Sequence, residues 1–187
     1  MRIVGGCYSG RRLTMPKGPD VRPTADRVRE SLFNILAHGI VDVDLEGASV
    51  VDVFAGSGAL GLEALSRGAA RAVFIDQGDT CLQCIRRTAG EIGVADDVLM
   101  LRLDAARLPP PPLAAGDPAA VVFLDAPYGS DLTVPALAGL KDKGWIADDA
   151  TCVVEIAADE TLTPPPGFTI LDERTYGAAK IMFLRGT

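Results

Sequence analysis

The chain has 187 residues, which suits one domain with a core large enough to stand without disulfides or a structural metal. Its 48% hydrophobic and 23% charged residues are ordinary globular usage and exclude a disordered, fibrous or disulfide-stapled chain. The net charge of −7 points away from nucleic acid, but residues 1–30 hold seven basic side chains against three acids, a local +4 that leaves −11 on the rest. A basic arm on an acidic body either meets phosphate or forms a solvated face, and charge alone does not choose between them.

The first thirteen residues are broken by Gly5, Gly6, Ser9, Gly10 and Arg11 and form no signal-peptide core. No apolar run approaches the roughly 18 residues of a membrane helix, so a cytoplasmic protein with no membrane partner is expected. Residues 2–4 and 12–14 flank a turn at Tyr8-Ser9-Gly10 and predict a small hairpin. Thr24 is placed to cap a helix that runs through Arg27, Val28, Ser31, Leu32, Ile35 and Leu36 to Gly39, with Arg27 and Arg29 on different faces. Residues 1–40 thus read as a basic extension and 41–187 as the main domain.

From residue 48 nearly continuous apolar runs alternate with helical segments. Strands are expected at 49–54, 72–75, 98–101, 119–124 and 152–156, and helices at 58–67, 79–92 and 131–142. Two more strands, 168–172 and 179–184, joined through Tyr176-Gly177, predict an antiparallel pair. The proline runs 109–112 and 164–166 read as loops within the domain. This βαβ alternation predicts a doubly wound α/β fold with ligands at the carboxyl ends of its strands. Cys81-x-x-Cys84 falls in a helical stretch and predicts buried or half-buried thiols rather than a redox pair. With one histidine and no second Cys-x-x-Cys, no metal is expected.

The chemistry concentrates at the strand ends. Asp52-Val53-Phe54-Ala55-Gly56-Ser57-Gly58-Ala59-Leu60-Gly61 carries G-x-G-x-x-G between a strand and a helix. An acid at Asp52 would repel a pyrophosphate but suits a cationic amino group, and no Lys precedes a Ser or Thr as in a triphosphate loop. Asp76 ends the second strand, where an acid can accept both hydroxyls of a ribose. Asp104, with Ala105 beside it, follows the third strand and could accept from an adenine amine. The fourth strand ends in Asp125-Ala126-Pro127-Tyr128. There a planar base can stack on Tyr128 while its exocyclic amine donates to the Asp125 carboxylate and the Ala126 carbonyl.

The glycine loop with Asp125-Ala-Pro-Tyr128 resembles the class I S-adenosylmethionine-dependent methyltransferases that act on amino nitrogens of nucleobases. The stretch Arg22-Pro-Thr-Ala-Asp-Arg27-Val-Arg-Glu30-Ser-Leu-Phe-Asn34 after the hairpin, together with Tyr176-Gly177, is similar to the bacterial 16S ribosomal RNA guanine-N2 methyltransferase family nearly end to end. The resemblance implies a Rossmann-like fold: a mostly parallel seven-stranded sheet with one antiparallel C-terminal strand, plus a small N-terminal hairpin and helix. It implies S-adenosylmethionine held by Asp52, Phe54, Gly56, Ser57, Gly58, Gly61, Asp76, Asp104 and Ala105, and catalysis by Asp125, Ala126, Pro127 and Tyr128. It also implies a monomer that meets ribosomal RNA, in a small-subunit assembly particle, through Arg11, Arg12, Lys17, Arg22, Arg27 and Arg29. Two residues depart from the family pattern: Ala126 stands where a proline is usual, and Asp76 where Glu is common. A DNA base methyltransferase would use the same loop, an NAD-dependent oxidoreductase the same glycines, and a non-catalytic assembly factor the same arm. A cytosine-C5 enzyme needs a thiolate near the loop, and no cysteine lies between Cys84 and Cys152.

Overall fold

A computed structural model describes residues 1–16, 26–38, 41 and 43–187. In chain order its elements are α1 (Asp26–His38), β1 (Ser49–Val53), α2 (Ala59–Ser66), β2 (Arg71–Asp76), α3 (Asp79–Ile92), β3 (Val98–Arg102), β4 (Ala119–Asp125), α4 (Thr133–Asp142), β5 (Ile146–Ala157), β6 (Phe168–Tyr176) and β7 (Ala179–Gly186). The seven strands form one sheet in the order β3-β2-β1-β4-β5-β7-β6. β1 to β5 pair in parallel, and β7 runs antiparallel to both β5 and β6, so β7 is the one reversed strand. This is the sheet the sequence predicts.

Alternation within each strand splits the core into two layers. Val50, Phe74, Val121, Phe123, Val153 and Phe183 face a layer shared with α1, α2 and α3. Val51, Val53, Val73, Ile75, Val122, Leu124 and Val154 face the other, closed by α4 and Trp145. Strands buried on both faces give the continuous apolar runs seen in the sequence. β5 begins six residues before its expected start, because Ala119 pairs with Ile146 and the register then shifts to Val121 opposite Thr151. No helix among the described residues is long and apolar enough to cross a membrane.

The N-terminal arm forms the expected hairpin. It is closed by the antiparallel bridge of Arg2 with Arg12 and by the Ile3 amide donating to the Arg11 carbonyl, Gly10 to Ile3 and Leu13 to Met1, at 2.9, 2.9 and 3.2 Å, while other amides of the arm bond elsewhere. The Val4 and Gly5 amides donate to the Glu63 carboxylate at 2.7 and 2.8 Å, and the Cys7 and Tyr8 amides donate to the Ser66 carbonyl and hydroxyl at 2.7 and 2.9 Å. Ile3 and Leu13 join the same apolar layer as α1 and α2.

α1 buries Arg29, Leu32, Phe33 and Leu36, with the Phe33 ring centroid 5.5 Å from that of Phe123. The expectation that Arg29 contacts nucleic acid is therefore corrected. Its i+3, i+4 and i+7 neighbours are the core residues of the helix, so it points inward. Its guanidinium donates to the Arg2 carbonyl, pairs with Asp26 at 3.0 Å, and lies 3.7 Å from Glu63, which Arg67 also meets at 2.8 Å. Thr24 and Gly39, the expected ends of this helix, lie outside the described residues.

Arg29 and Glu63 are both fully buried, so removing Glu63 takes from the Arg29 guanidinium its buried counter-charge and from the Val4 and Gly5 amides their acceptor. Glu63→Ala is expected to destabilise the fold by about 3–5 kcal/mol in urea unfolding, with Glu63→Gln losing less. A loss for Glu63→Ala within about 0.5 kcal/mol of zero would show that the network does not hold the arm.

Candidate active site

Because β1 to β4 are parallel, their carboxyl ends meet at one edge of the sheet, and each brings an acid there. Between β1 and α2 the chain turns through a strained loop: Phe54 holds φ +61°, a left-handed value rare for a side chain of its size, and Gly56 holds +54°. A Cβ added at Gly56 would meet only the Phe54 carbonyl, at 3.9 Å, so the space above this residue is open to a ligand. Gly61 is glycine for a different reason. A Cβ there would lie 2.4 Å from the Phe74 ring and 3.2 Å from the Asp52 Cβ, so its absence lets α2 pack onto β1 and β2.

The acids are bound to this loop in different ways. Asp52 is buried, and its Oδ2 accepts from the Gly61 amide at 2.9 Å. Burial raises its pKa well above the usual carboxylate value; the Gly61 bond opposes this, and the charges of Asp125 and Asp76 add to it. Through this bond Asp52 pins the first turn of α2. Asp76 is partly buried and accepts from the Gly56 amide at 2.8 Å through Oδ2 and from the Gly78 amide at 2.7 Å through Oδ1. Asp104 is exposed and accepts from the Ala106 amide at 3.0 Å, capping a short turn in which Ala105 is buried. Ser57 is buried, and its hydroxyl lies 3.5 Å from the Met1 sulfur.

At the end of β4, Asp125 is partly buried, Ala126 buried, Pro127 exposed and Tyr128 partly buried. The Asp125 carboxyl is pushed up to about 7, first by burial and then by the charge of Glu155. Glu155 is the register partner of Asp125 on β5, and the Tyr128 hydroxyl donates to its Oε1 at 2.8 Å. Glu160 holds the loop from beyond β5, accepting from the Gly129 and Ala157 amides. Sequence inspection missed both glutamates. The available signal for Glu155 was an acid interrupting a run that is otherwise buried.

Of the expected nucleic-acid contacts, Arg11, Arg12 and Arg27 are exposed, and Lys17 and Arg22 lie outside the described residues. Arg27 lines a shallow depression of about 440 Å³ along α1 with Glu30, Ser31, Asn34, Ile35 and His38, and the Ser31 hydroxyl lies 2.7 Å from that of Tyr176. Cys81 and Cys84 sit on α3 as half-buried and buried thiols, both raised by burial, so neither is a ready thiolate.

The family model described as conserved hypothetical protein 95 matches residues 1–185. The chain belongs to that family. It is 39% identical over 183 residues to the ribosomal RNA small subunit methyltransferase D of Escherichia coli (strain K12), across 95% of this chain and 85% of that protein. To the Haemophilus influenzae protein of the same name it is 32% identical over 182 residues, across 95% and 89%. The solved structure of yhhF from Escherichia coli matches with a TM-score of 0.81 at 34% identity, covering 100% of this chain and 97% of that one. The fold is that of the Rossmann-like methyltransferases.

The raised Asp125 carboxyl predicts a pH signature in stability. Between its unfolded pKa near 3.9 and the folded value of about 7, the folded chain keeps a proton that the unfolded chain has lost. Stability from this group is therefore full below about pH 4 and falls as pH rises toward 7. Asp125→Asn should melt with wild type at pH 4 and above it at pH 8. Equal melting differences at the two pH values would contradict this origin of the shift.

Proposed function

We propose that the chain is an S-adenosylmethionine-dependent methyltransferase acting on the N2 amine of a guanine in small-subunit ribosomal RNA. The observation that carries this is the Asp125–Tyr128 turn at the end of β4, beside the glycine loop at the end of β1. It carries a carboxylate, a carbonyl and an aromatic ring within four consecutive residues. The names of the relatives support the RNA class of substrate.

The residues present fit the cofactor. The strand ends offer acids to a cationic ligand rich in hydroxyls and amines, and the space above Gly56 is open. When bound, S-adenosylmethionine supplies a sulfonium methyl that an amine lone pair takes as the carbon–sulfur bond breaks, the bonding pair leaving with sulfur as a thioether.

This chain's residues position the reactants. Each Asp76 oxygen keeps a second lone pair for a ribose hydroxyl beyond the backbone amide it already accepts. Asp104 accepts from the adenine amine beside Ala105, while Phe54, Ser57 and Gly58 shape the wall that Asp52 pins. On the substrate side, Tyr128 stacks on the guanine, Pro127 stiffens the turn, and the Asp125 carboxylate and Ala126 carbonyl accept the two hydrogens of the amine. Those two bonds aim the nitrogen lone pair at the methyl, and alignment supplies much of the rate. The nitrogen becomes cationic as it is methylated, and Asp125 takes its released proton and passes it to water. Arg11, Arg12 and Arg27 hold phosphates of the RNA, with Lys17 and Arg22 added from outside the described residues.

The test is to incubate the chain and labelled S-adenosylmethionine with under-methylated small subunits, naked ribosomal RNA or duplex DNA, and then to identify the labelled nucleoside. N2-methylguanosine from small-subunit RNA is the expected product, and Asp125→Ala is expected to lower kcat at least 100-fold while still binding S-adenosylmethionine. Label only in DNA, label as 5-methylcytosine, or wild-type turnover by Asp125→Ala would overturn the proposal.

A further inference from the structure

Asp125 and Glu155 end neighbouring parallel strands at paired positions, so their side chains leave the sheet on the same face, with backbones about 4.8 Å apart. Two carboxylates this close, one of them buried, resist ionising together. The Tyr128 hydroxyl donates to Glu155, at 2.8 Å. One side chain thus touches both parts of the loop that the proposed reaction needs: it tethers the aromatic ring through its hydroxyl and sets a negative charge beside the acid facing the amine.

Resting on the function proposed above, we propose that Glu155 is a positioning residue for methyl transfer, fixing the ring of Tyr128 and keeping Asp125 an acceptor for the proton of the target amine. Structure and charge agree on this. The shift of Asp125 toward neutrality has the charge of Glu155 as its second cause after burial. Other groups face the pair from several elements. Asp52 on β1 feels the charge of Asp125, Glu160 beyond β5 holds the Gly129 amide, and Lys180 of β7 donates to the Glu160 carbonyl. Among these, Glu155 alone is both the register partner of Asp125 and the acceptor of the Tyr128 hydroxyl.

When the amine is methylated it sheds one proton, which adds to the Asp125 carboxylate. The neighbouring charge of Glu155 makes that carboxylate a stronger base. No oxidant, reductant or further reactant enters the step.

Two variants separate the roles. Glu155→Gln keeps an oxygen for the Tyr128 hydroxyl and removes the charge; Tyr128→Phe keeps the ring and removes the tether. The carboxyl titration of Asp125, followed by NMR in protein carrying 13C-aspartate and assigned with Asp125→Asn, reads the pair without any substrate. Glu155→Gln is expected to move that titration, and the acid limb of kcat on under-methylated small subunits, to lower pH by about one unit. Tyr128→Phe is expected to lower kcat about tenfold with the acid limb in place. An Asp125 titration unmoved by Glu155→Gln, or a Tyr128→Phe enzyme with wild-type kcat, would overturn the assignment. A wild-type chain that binds S-adenosylmethionine yet methylates no guanine would instead overturn the proposed reaction, while the titration still decides whether the carboxylate pair exists.

Discussion

The fold rests on one buried carboxylate. Glu63 lies in α2 with no exposure, and a charge taken that far from water survives only where enough donors replace its hydration. Its donors come from three parts of the chain: the Val4 and Gly5 amides of the arm, Arg67 one helical turn on, and Arg29 of α1. The arm therefore cannot move against α2 without exposing or unpairing Glu63. Since α2 starts at the glycine loop, the arm and the loop form one body, and Met1 comes to lie against Ser57. The spacing of the arm and the glycine loop is thus set through α2, by Glu63 together with Ser66, which bonds the Cys7 and Tyr8 amides.

A second constraint is the number of acids at one sheet edge. Four like charges at adjacent strand ends would repel, and the structure separates them by giving each a different environment. Asp52 is buried on the Gly61 amide, Asp76 spreads its charge over two amides, Asp104 caps a turn in solvent, and Asp125 is held close to neutrality. Backbone amides at the start of a helix or turn take much of the load. The turn after β4 carries the one acid of the four with a second carboxylate as its strand neighbour.

The sheet was legible because strands covered on both faces carry continuous apolar runs, as β1, β2, β4 and β7 do, whereas the edge strand β6 runs on into the polar Asp172–Tyr176. Helix ends and the length of β5 were less so, since β5 gains its first residues from pairing with Ala119 rather than from its own polarity pattern. The site divides in the same way. Asp125 and Tyr128 are local to one motif and can be read from it. Glu155 lies thirty residues further on and becomes their neighbour only through sheet register. Arg29 shows that helical phase outranks charge: its spacing from Leu32, Phe33 and Leu36 marks it as inward. The arm is the hairpin its turn residues suggest, with the Ile3, Gly10 and Leu13 amides bonded across it, but its Val4, Gly5 and Tyr8 amides go to α2, which its own sequence does not show.

The inward Arg29 changes what the basic arm can do. A count of cations in residues 1–30 treats them as equivalent, yet Arg29 neutralises Glu63 inside the core and Arg2 pairs with Asp26 at 3.5 Å, so neither contributes its full charge outside. Among the described residues, Arg11, Arg12 and Arg27 are the exposed cations of this segment clear of any ion pair with a side chain. Counterion release scales with the phosphates actually met, at a slope of about 0.7 per contact on single-stranded nucleic acid, so the field of the arm is shorter in reach and more local than its composition suggests. A body carrying −11 would repel a polyanion over most of its surface. Any approach is then left to the arm, whose Met1 lies against Ser57 just before α2 and whose Arg11 guanidinium donates to the Glu91 carbonyl near the end of α3. The charge that appeared to exclude nucleic acid thus restricts where nucleic acid can approach.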